Sequence, residues 1–243
     1  MSFSWTRVGA IFRKELRDYR RNRFVIFTMS ALPLLFIVLT GIQLFAINAT
    51  TSAKLNDRIG ISMLYLLIIP TMVPSALTAY SIVGEREQGT LEPVLITPIR
   101  REELLVGKAL AAFAPTLTIA YVLFGLFLGA AKLFAHPAVL SAIFERSHVL
   151  VQLLFTPLLA GWSIWMGIAI SARSSDVRAA QQLAAFASLP PLGVVALLSF
   201  NVIPASVSVA LALAAGLLLL DGFGWRGVAA IFDRERLITG NRN

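Results

Sequence analysis

Residues 59–84 read IGISMLYLLIIPTMVPSALTAYSIVG, and residues 85–108 follow as EREQGTLEPVLITPIRREELLVGK. The first 26 positions carry no charge, whereas the next 24 carry nine. A helix rises about 1.5 Å per residue and about 20 apolar residues cross the hydrocarbon core of a bilayer. The first segment therefore predicts a membrane-spanning helix, and the second a loop in water. Charge-free runs recur on both sides of this pair: Phe24–Ala53, Ala109–Ala131, Val149–Ala172 and Ala179–Leu220, of 30, 23, 24 and 42 residues. The longest would reach about 63 Å as one helix, roughly twice the hydrocarbon thickness, so it holds two spans. Asn201–Pro204 is the natural corner between them.

The expected fold is all-α: a polytopic membrane protein with six transmembrane helices at about 24–47, 60–83, 109–131, 149–171, 182–200 and 204–220. Residues 1–23 precede this domain of 24–220 as an amphipathic helix, residues 84–104 form the charged loop, and 221–243 form a tail. Composition agrees, since 57% of the 243 residues are apolar, 14% are charged and the mean hydropathy is +0.78. The absence of cysteine excludes disulfides, cysteine-ligated metal centres and a thiol nucleophile. A net charge of +8 would point to nucleic acid in a soluble chain, but here it places basic residues at the membrane surface.

The distribution of those basic residues sets the topology. Seventeen of the lysines and arginines fall in the N-terminal segment, the loops after spans two and four, and the tail; four, Lys54, Arg58, Lys132 and Arg146, fall opposite. The positive-inside rule then puts both termini and the loops after spans two and four, 84–104 among them, in the cytoplasm. The expected location is a bacterial or archaeal plasma membrane. The N-terminal segment is too long and too mixed in charge for a cleavable signal peptide, so span one is expected to stay. Within residues 2–23, Trp5, Val8, Phe12, Leu16 and Tyr19 recur at spacings of three and four among arginines and lysines. Such a helix lies flat at the interface with its apolar side among acyl chains, or serves simply as a basic anchor.

No Asp, Glu, Lys, Arg or His falls within the expected spans. This disfavours a proton relay or a channel lined by charged rings. An ion-coupled secondary transporter stays open as an alternative, because carbonyls and hydroxyls bind sodium. An intramembrane enzyme would need a nucleophile with a base at membrane depth, and the two histidines, His136 and His148, read as solvated residues of an outer loop. That loop, 132–148, has room for a short surface helix. Pro33, Pro70, Pro74, Pro115, Pro157, Pro190 and Pro191 predict kinks. Gly161, Gly167, Gly125 and Gly129 predict close helix contacts, and Asn48–Thr50 matches a weak glycosylation pattern.

Within the loop, Gly89 ends the second helix, Thr90 can cap a short new one, and Leu91, Val94 and Leu95 give it one apolar face. Thr97-Pro98 stops it, and Glu102 and Glu103 suit the first turn of the next helix. A short helix across the mouth of the bundle is suited to another protein's groove, or is an ordinary charged loop.

The string from Glu85 to Pro98, with Arg101, Glu102, Gly107 and Lys108, resembles the signature of the type-2 ATP-binding-cassette (ABC) transporter permeases, the membrane subunits of ABC exporters. The resemblance implies that the N-terminal helix is an elbow helix carried by Trp5, Phe12, Leu16 and Tyr19. It implies that Glu85, Glu87, Gly89, Thr90, Leu91, Glu92, Leu95, Thr97, Pro98 and Arg101 build the coupling region on which an ABC ATPase subunit rests. Gly107 and Lys108 would then begin span three. The permease would work as a homodimer or a heterodimer with another permease, with no cofactor of its own and with ATP and Mg on the partner. Some relatives have re-entrant helices between spans five and six, for which the corner at Asn201–Pro204 leaves little room. The chain itself is not expected to be an enzyme, since Gly107-Lys108 is preceded by Glu102 and followed by Ala109, unlike a phosphate loop. Spans of Ala, Leu, Ile, Phe and Val with few hydroxyls are compatible with an amphipathic drug, an antibiotic, a lipid-linked molecule or sodium as cargo.

Overall fold

The computed structural model describes residues 3–45, 52–89, 99–144, 146–200 and 206–231. Its helices are α1 (Trp5–Arg21), α2 (Arg23–Phe45), α3 (Ser52–Ala79), α4 (Arg101–Phe134), α5 (Pro137–Ile143), α6 (Arg146–Arg173), α7 (Val177–Ala187), α8 (Leu189–Ser199) and α9 (Val207–Ile231). α3 runs on through a π-turn at Tyr80–Gly84 into a last turn at Glu85–Glu87. There is no strand among the described residues. Six segments are long and apolar enough to cross a membrane: Arg23–Gln43, Arg58–Glu87, Arg101–Phe134, His148–Arg173, Val177–Ser199 and Val207–Ala229. The chain is an all-α, multi-pass membrane protein. The expected corner at Asn201–Pro204, the Asn48–Thr50 pattern, the loop tip at 90–98 with its short helix, and residues 232–243 lie outside the described residues.

α3 is the axle of the bundle, packed against α2, α4, α6, α7 and α8. α2 and α9 lie outermost and expose large side chains such as Phe27, Leu34 and Val38, and Leu218, Leu219 and Phe223. Such faces suit hydrocarbon and would be untenable in water. Several buried hydroxyls turn back onto their own helices. Thr71, Ser75 and Thr78 donate to the carbonyls of Ile68, Met72 and Pro74, each at 2.7 Å, and Thr116 donates to Ala112 at 2.8 Å. With no water at that depth, this is how a hydroxyl keeps a partner.

Asn22 separates α1 from α2. Its backbone N–H closes α1 onto Asp18 and Tyr19, and its side-chain oxygen accepts the N–H groups of Phe24 and Val25 at 3.0 and 3.2 Å. One asparagine thus ends one helix and caps the next. Span five begins at Val177, where the Asp176 carboxylate accepts the Ala179 N–H at 2.8 Å, and it is broken at Ser188. Pro190 and Pro191 lie in the first turn of α8, where a missing N–H costs no helix bond. The Trp162 indole of α6 donates to the Ala187 carbonyl at 2.9 Å, supplying an acceptor at the end of α7.

Several expectations change. Gly161 and Gly167 do make close approaches, but a Cβ on Gly125 or Gly129 would meet nothing within 4 Å, so that pair contacts no helix of this chain. Asp221, placed by sequence beyond the last span, stands inside α9, and a Cβ on Gly161 would come within 2.9 Å of its Oδ2. The apolar run ends at Leu220, but the helix and its packing do not. His148 lies in the first turn of α6, half-buried, with Nδ1 3.2 Å from the Ala142 carbonyl, and is not a solvated loop residue.

Replacing Trp162 by Phe keeps an aromatic ring, though a smaller one, and strands the Ala187 carbonyl. Chemical unfolding of the detergent-solubilised protein is expected to show a loss of about 1 kcal/mol, within the range for single hydrogen bonds in membranes.

Candidate functional site

The end of the bundle that carries the 84–101 loop concentrates the polar chemistry. In a regular α-helix the Val83 N–H would bond the Ala79 carbonyl. Here the Ser171 hydroxyl of α6 stands between them, accepting the Val83 N–H at 3.2 Å and donating to the Ala79 carbonyl at 2.8 Å. This inserted hydroxyl keeps both backbone groups satisfied while α3 winds through its π-turn. Gly167, one turn earlier on α6, allows the approach, since a Cβ there would run into the Thr78 hydroxyl. Beyond the π-turn, Arg86 donates from Nη1 to the Ser174 carbonyl at 3.1 Å and from Nη2 to the Ala172 carbonyl at 3.3 Å. A guanidinium over the last carbonyls of α6 is also favoured by the helix dipole.

The same end is fastened to α1 by charge. Lys108, on α4, is buried completely, and its Nζ donates to Glu15 Oε1 at 2.7 Å, Glu85 Oε2 at 2.8 Å and the Ser81 carbonyl at 2.7 Å. Three donors meet three acceptors, so the ammonium is satisfied without water. Lys14 bonds Glu85 Oε1 and lies 3.3 Å from Glu15 Oε1 and 3.2 Å from Asp18 Oδ2. Burial alone would lower the Lys14 ammonium, but the carboxylates of Glu15, Glu85 and Asp18 outweigh it and hold its pKa well above the ordinary lysine value. Beside them Tyr19 is raised well above the usual phenol value, first by burial and then by the same three carboxylates, so it stays neutral. Two cations and three carboxylates from α1, the end of α3 and the start of α4 form one network.

A second contact fixes the other end of α1. The Glu103 carboxylate accepts the Arg100 N–H at 3.0 Å, the Ser4 N–H at 2.7 Å and the Arg7 guanidinium at 2.8 Å. It therefore caps α4 and anchors α1 with the same group. Between the two anchors Gly107 lies against Ile11: a Cβ there would come within 2.6 Å of Ile11 Cγ2.

The residues named from sequence divide accordingly. Glu85 is turned inward onto Lys108 and Lys14, whereas Glu87 and Gly89 are exposed, and Gly89 takes φ +67° as it leaves the helix. That left-handed value suits glycine and ends the last turn. Arg101 is exposed on the first turn of α4. Thr90, Leu91, Glu92, Leu95, Thr97 and Pro98 lie outside the described residues. On α1, Tyr19 is buried, Phe12 and Leu16 are partly buried against the core, and Trp5 is 70% exposed with its ring edge-on to Phe3. The face of α1 that packs on the bundle is Val8, Ile11, Glu15 and Tyr19, so protein takes much of what sequence assigned to acyl chains. Sequence reasoning missed Lys14, Glu15, Arg86 and Ser171; the available signal was Glu15, a charge at the centre of an apolar helix face.

Among the described residues no group of three His, Cys, Asp or Glu is placed to hold a metal ion. The arrangement is built of ion pairs and of hydrogen bonds to backbone carbonyls. What it provides is mechanical: both ends of the 84–101 loop are fixed to α1, and one of them to α6. The family model described as "ABC-2 family transporter protein" matches residues 9–234. No curated protein matches the chain.

Replacing Lys108 by Met leaves Glu15 and Glu85 facing each other with Lys14 alone for partner. Thermal and chemical unfolding are expected to show a loss of about 3–5 kcal/mol, as for other buried pairs broken on one side. The combined variant Lys108→Met, Glu15→Gln, Glu85→Gln is expected to recover much of it, and a loss below 1 kcal/mol for Lys108→Met alone would contradict the clamp.

Proposed function

The chain belongs to the ABC-2 transporter family, and from that premise we propose that it is the permease subunit of an ABC exporter, forming the substrate pathway while a separate ATPase subunit supplies the energy. ATP and its Mg bind that partner, which docks on the loop after span two through Glu87, Gly89, Thr90, Leu91, Glu92, Leu95, Thr97, Pro98 and Arg101. Glu85 serves the same coupling from inside, by fastening the loop to the bundle. Two permeases, alike or different, pair to enclose the pathway. The loop and both termini face the cytoplasm of a bacterial or archaeal cell, and α1 rests as an elbow helix on the inner membrane surface.

The observation that carries this reading is the Lys108 network. A force applied to the loop moves Glu85 and Lys108, and these carry with them α1, α3 and α4; Arg86 and Ser171 add α6. A loop fastened at both ends passes displacement on to the spans, whereas a slack one would absorb it.

Co-expression with the cognate ATPase provides the test. Glu87→Arg and Leu95→Asp are expected to reduce ATPase co-purification at least tenfold while leaving the permease folded. The chain has no native cysteine, so Gly89→Cys gives a single labelling site, expected to react only from the cytoplasmic side. Undiminished ATPase recruitment by both loop variants, or labelling from outside, would refute the docking role.

A further inference from the structure

Independently of the transport reading, we propose that the outer flank of α1 is a binding site for one anionic phospholipid. Its phosphate is held by Arg13, Arg17, Arg20 and Arg21, and an acyl chain lies in the groove between α1, α2 and α4.

Two sets of four cations stand out at this end of the molecule. Arg7, Lys14, Arg86 and Lys108 are all committed to carboxylates or backbone carbonyls of the protein. Arg13, Arg17, Arg20 and Arg21 are exposed and make no hydrogen bond or ion pair among the described residues. Their spacing puts them on the side of α1 opposite the packed Val8, Ile11, Glu15 and Tyr19. Together with Leu16 they line an open cavity of about 490 Å³. Four guanidinium side chains around one cavity favour an anion among them, and the planar fork of arginine matches phosphate oxygens.

The second half of the site is apolar. Leu16, Tyr19, Ile26, Met29, Pro115 and Ile119 wall a groove of about 240 Å³ where α1 meets the first turns of α2 and the middle of α4. Leu16 and Arg20 line both this groove and the cationic cavity, so the two adjoin. A free phosphate or a nucleotide would use the arginines and leave the groove empty; a neutral lipid would fill the groove and leave the arginines without a counter-charge. A molecule anionic at one end and apolar at the other satisfies both, and in a membrane that molecule is an anionic phospholipid.

The test uses the full chain, delipidated in mild detergent, with native mass spectrometry to count bound lipid and titration to measure affinity. One phosphatidylglycerol per chain is expected, bound at least tenfold more tightly than phosphatidylcholine. Each arginine is worth roughly fivefold near an anionic headgroup, so Arg17→Gln with Arg20→Gln is expected to weaken phosphatidylglycerol tenfold or more and leave phosphatidylcholine unchanged. Ile119→Trp fills the groove and is expected to expel phosphatidylglycerol while leaving the arginines intact. Unchanged lipid-free unfolding profiles establish that both variants are folded. Equal retention of the two lipids, or phosphatidylglycerol binding unaffected by the arginine changes, would overturn the proposal. So would glycerol phosphate binding as tightly as the whole lipid, since that would reveal a phosphate site without a tail groove.

Discussion

A lysine ammonium with no access to water governs the loop end of this protein. Lys108 is accommodated there because Glu15, Glu85 and the Ser81 carbonyl each accept one of its N–H bonds, at 2.7 to 2.8 Å. A desolvated charge without partners costs several kcal/mol, more than most single contacts in a protein supply. The three segments that provide the partners are therefore obliged to stay together. The rest of the junction is consistent with that obligation: Gly107 lets α1 come close enough for Glu15 to reach, and Glu103 fixes the far end of α1 through Ser4 and Arg7.

The bundle thus distributes its polar interactions unevenly. Along the spans, the hydroxyls of Thr71, Ser75 and Thr78 are satisfied within their own helix, and single bonds such as Trp162 to Ala187 and Tyr121 to Leu153 cross between helices otherwise joined by apolar packing. At the loop end, polar bonds run between helices: Ser171 to α3, Arg86 to α6, Lys108 to α1 and α3. Motion among spans held by dispersion and shape costs little hydrogen bonding, whereas motion within the junction would cost a great deal. The junction is accordingly the part of the described bundle most tightly held by polar bonds.

Much of the fold was legible because its cause is local. A charge-free run long enough to cross hydrocarbon needs no knowledge of its neighbours, and all six spans were readable from that alone. The errors arose where a distant residue decides. Glu85 reads as an exposed acid at the head of a loop, and only Lys108 and Lys14 turn it inward. The break at Ser188 rests on prolines that sequence does show, but the acceptor it leaves is filled by Trp162, 25 residues away. Asp221 ends the apolar run without ending the helix, and the glycine opposite it on α6 leaves room for its carboxylate. The tip of the loop, where sequence resemblance is strongest, lies outside the described residues.

The single hydroxyl wedged between Val83 and Ala79 has an effect larger than two bonds. A π-turn inserts one residue into the winding of a helix, and one residue corresponds to about 100° of rotation. Every side chain after Gly84 is thereby offset in azimuth from the line it would follow on an uninterrupted helix. The bearing of Glu85 toward Lys108, and of Arg86 toward the end of α6, is set by that offset. Rewinding of Tyr80–Gly84 as regular α-helix, with no residue removed, would swing both charges off their targets.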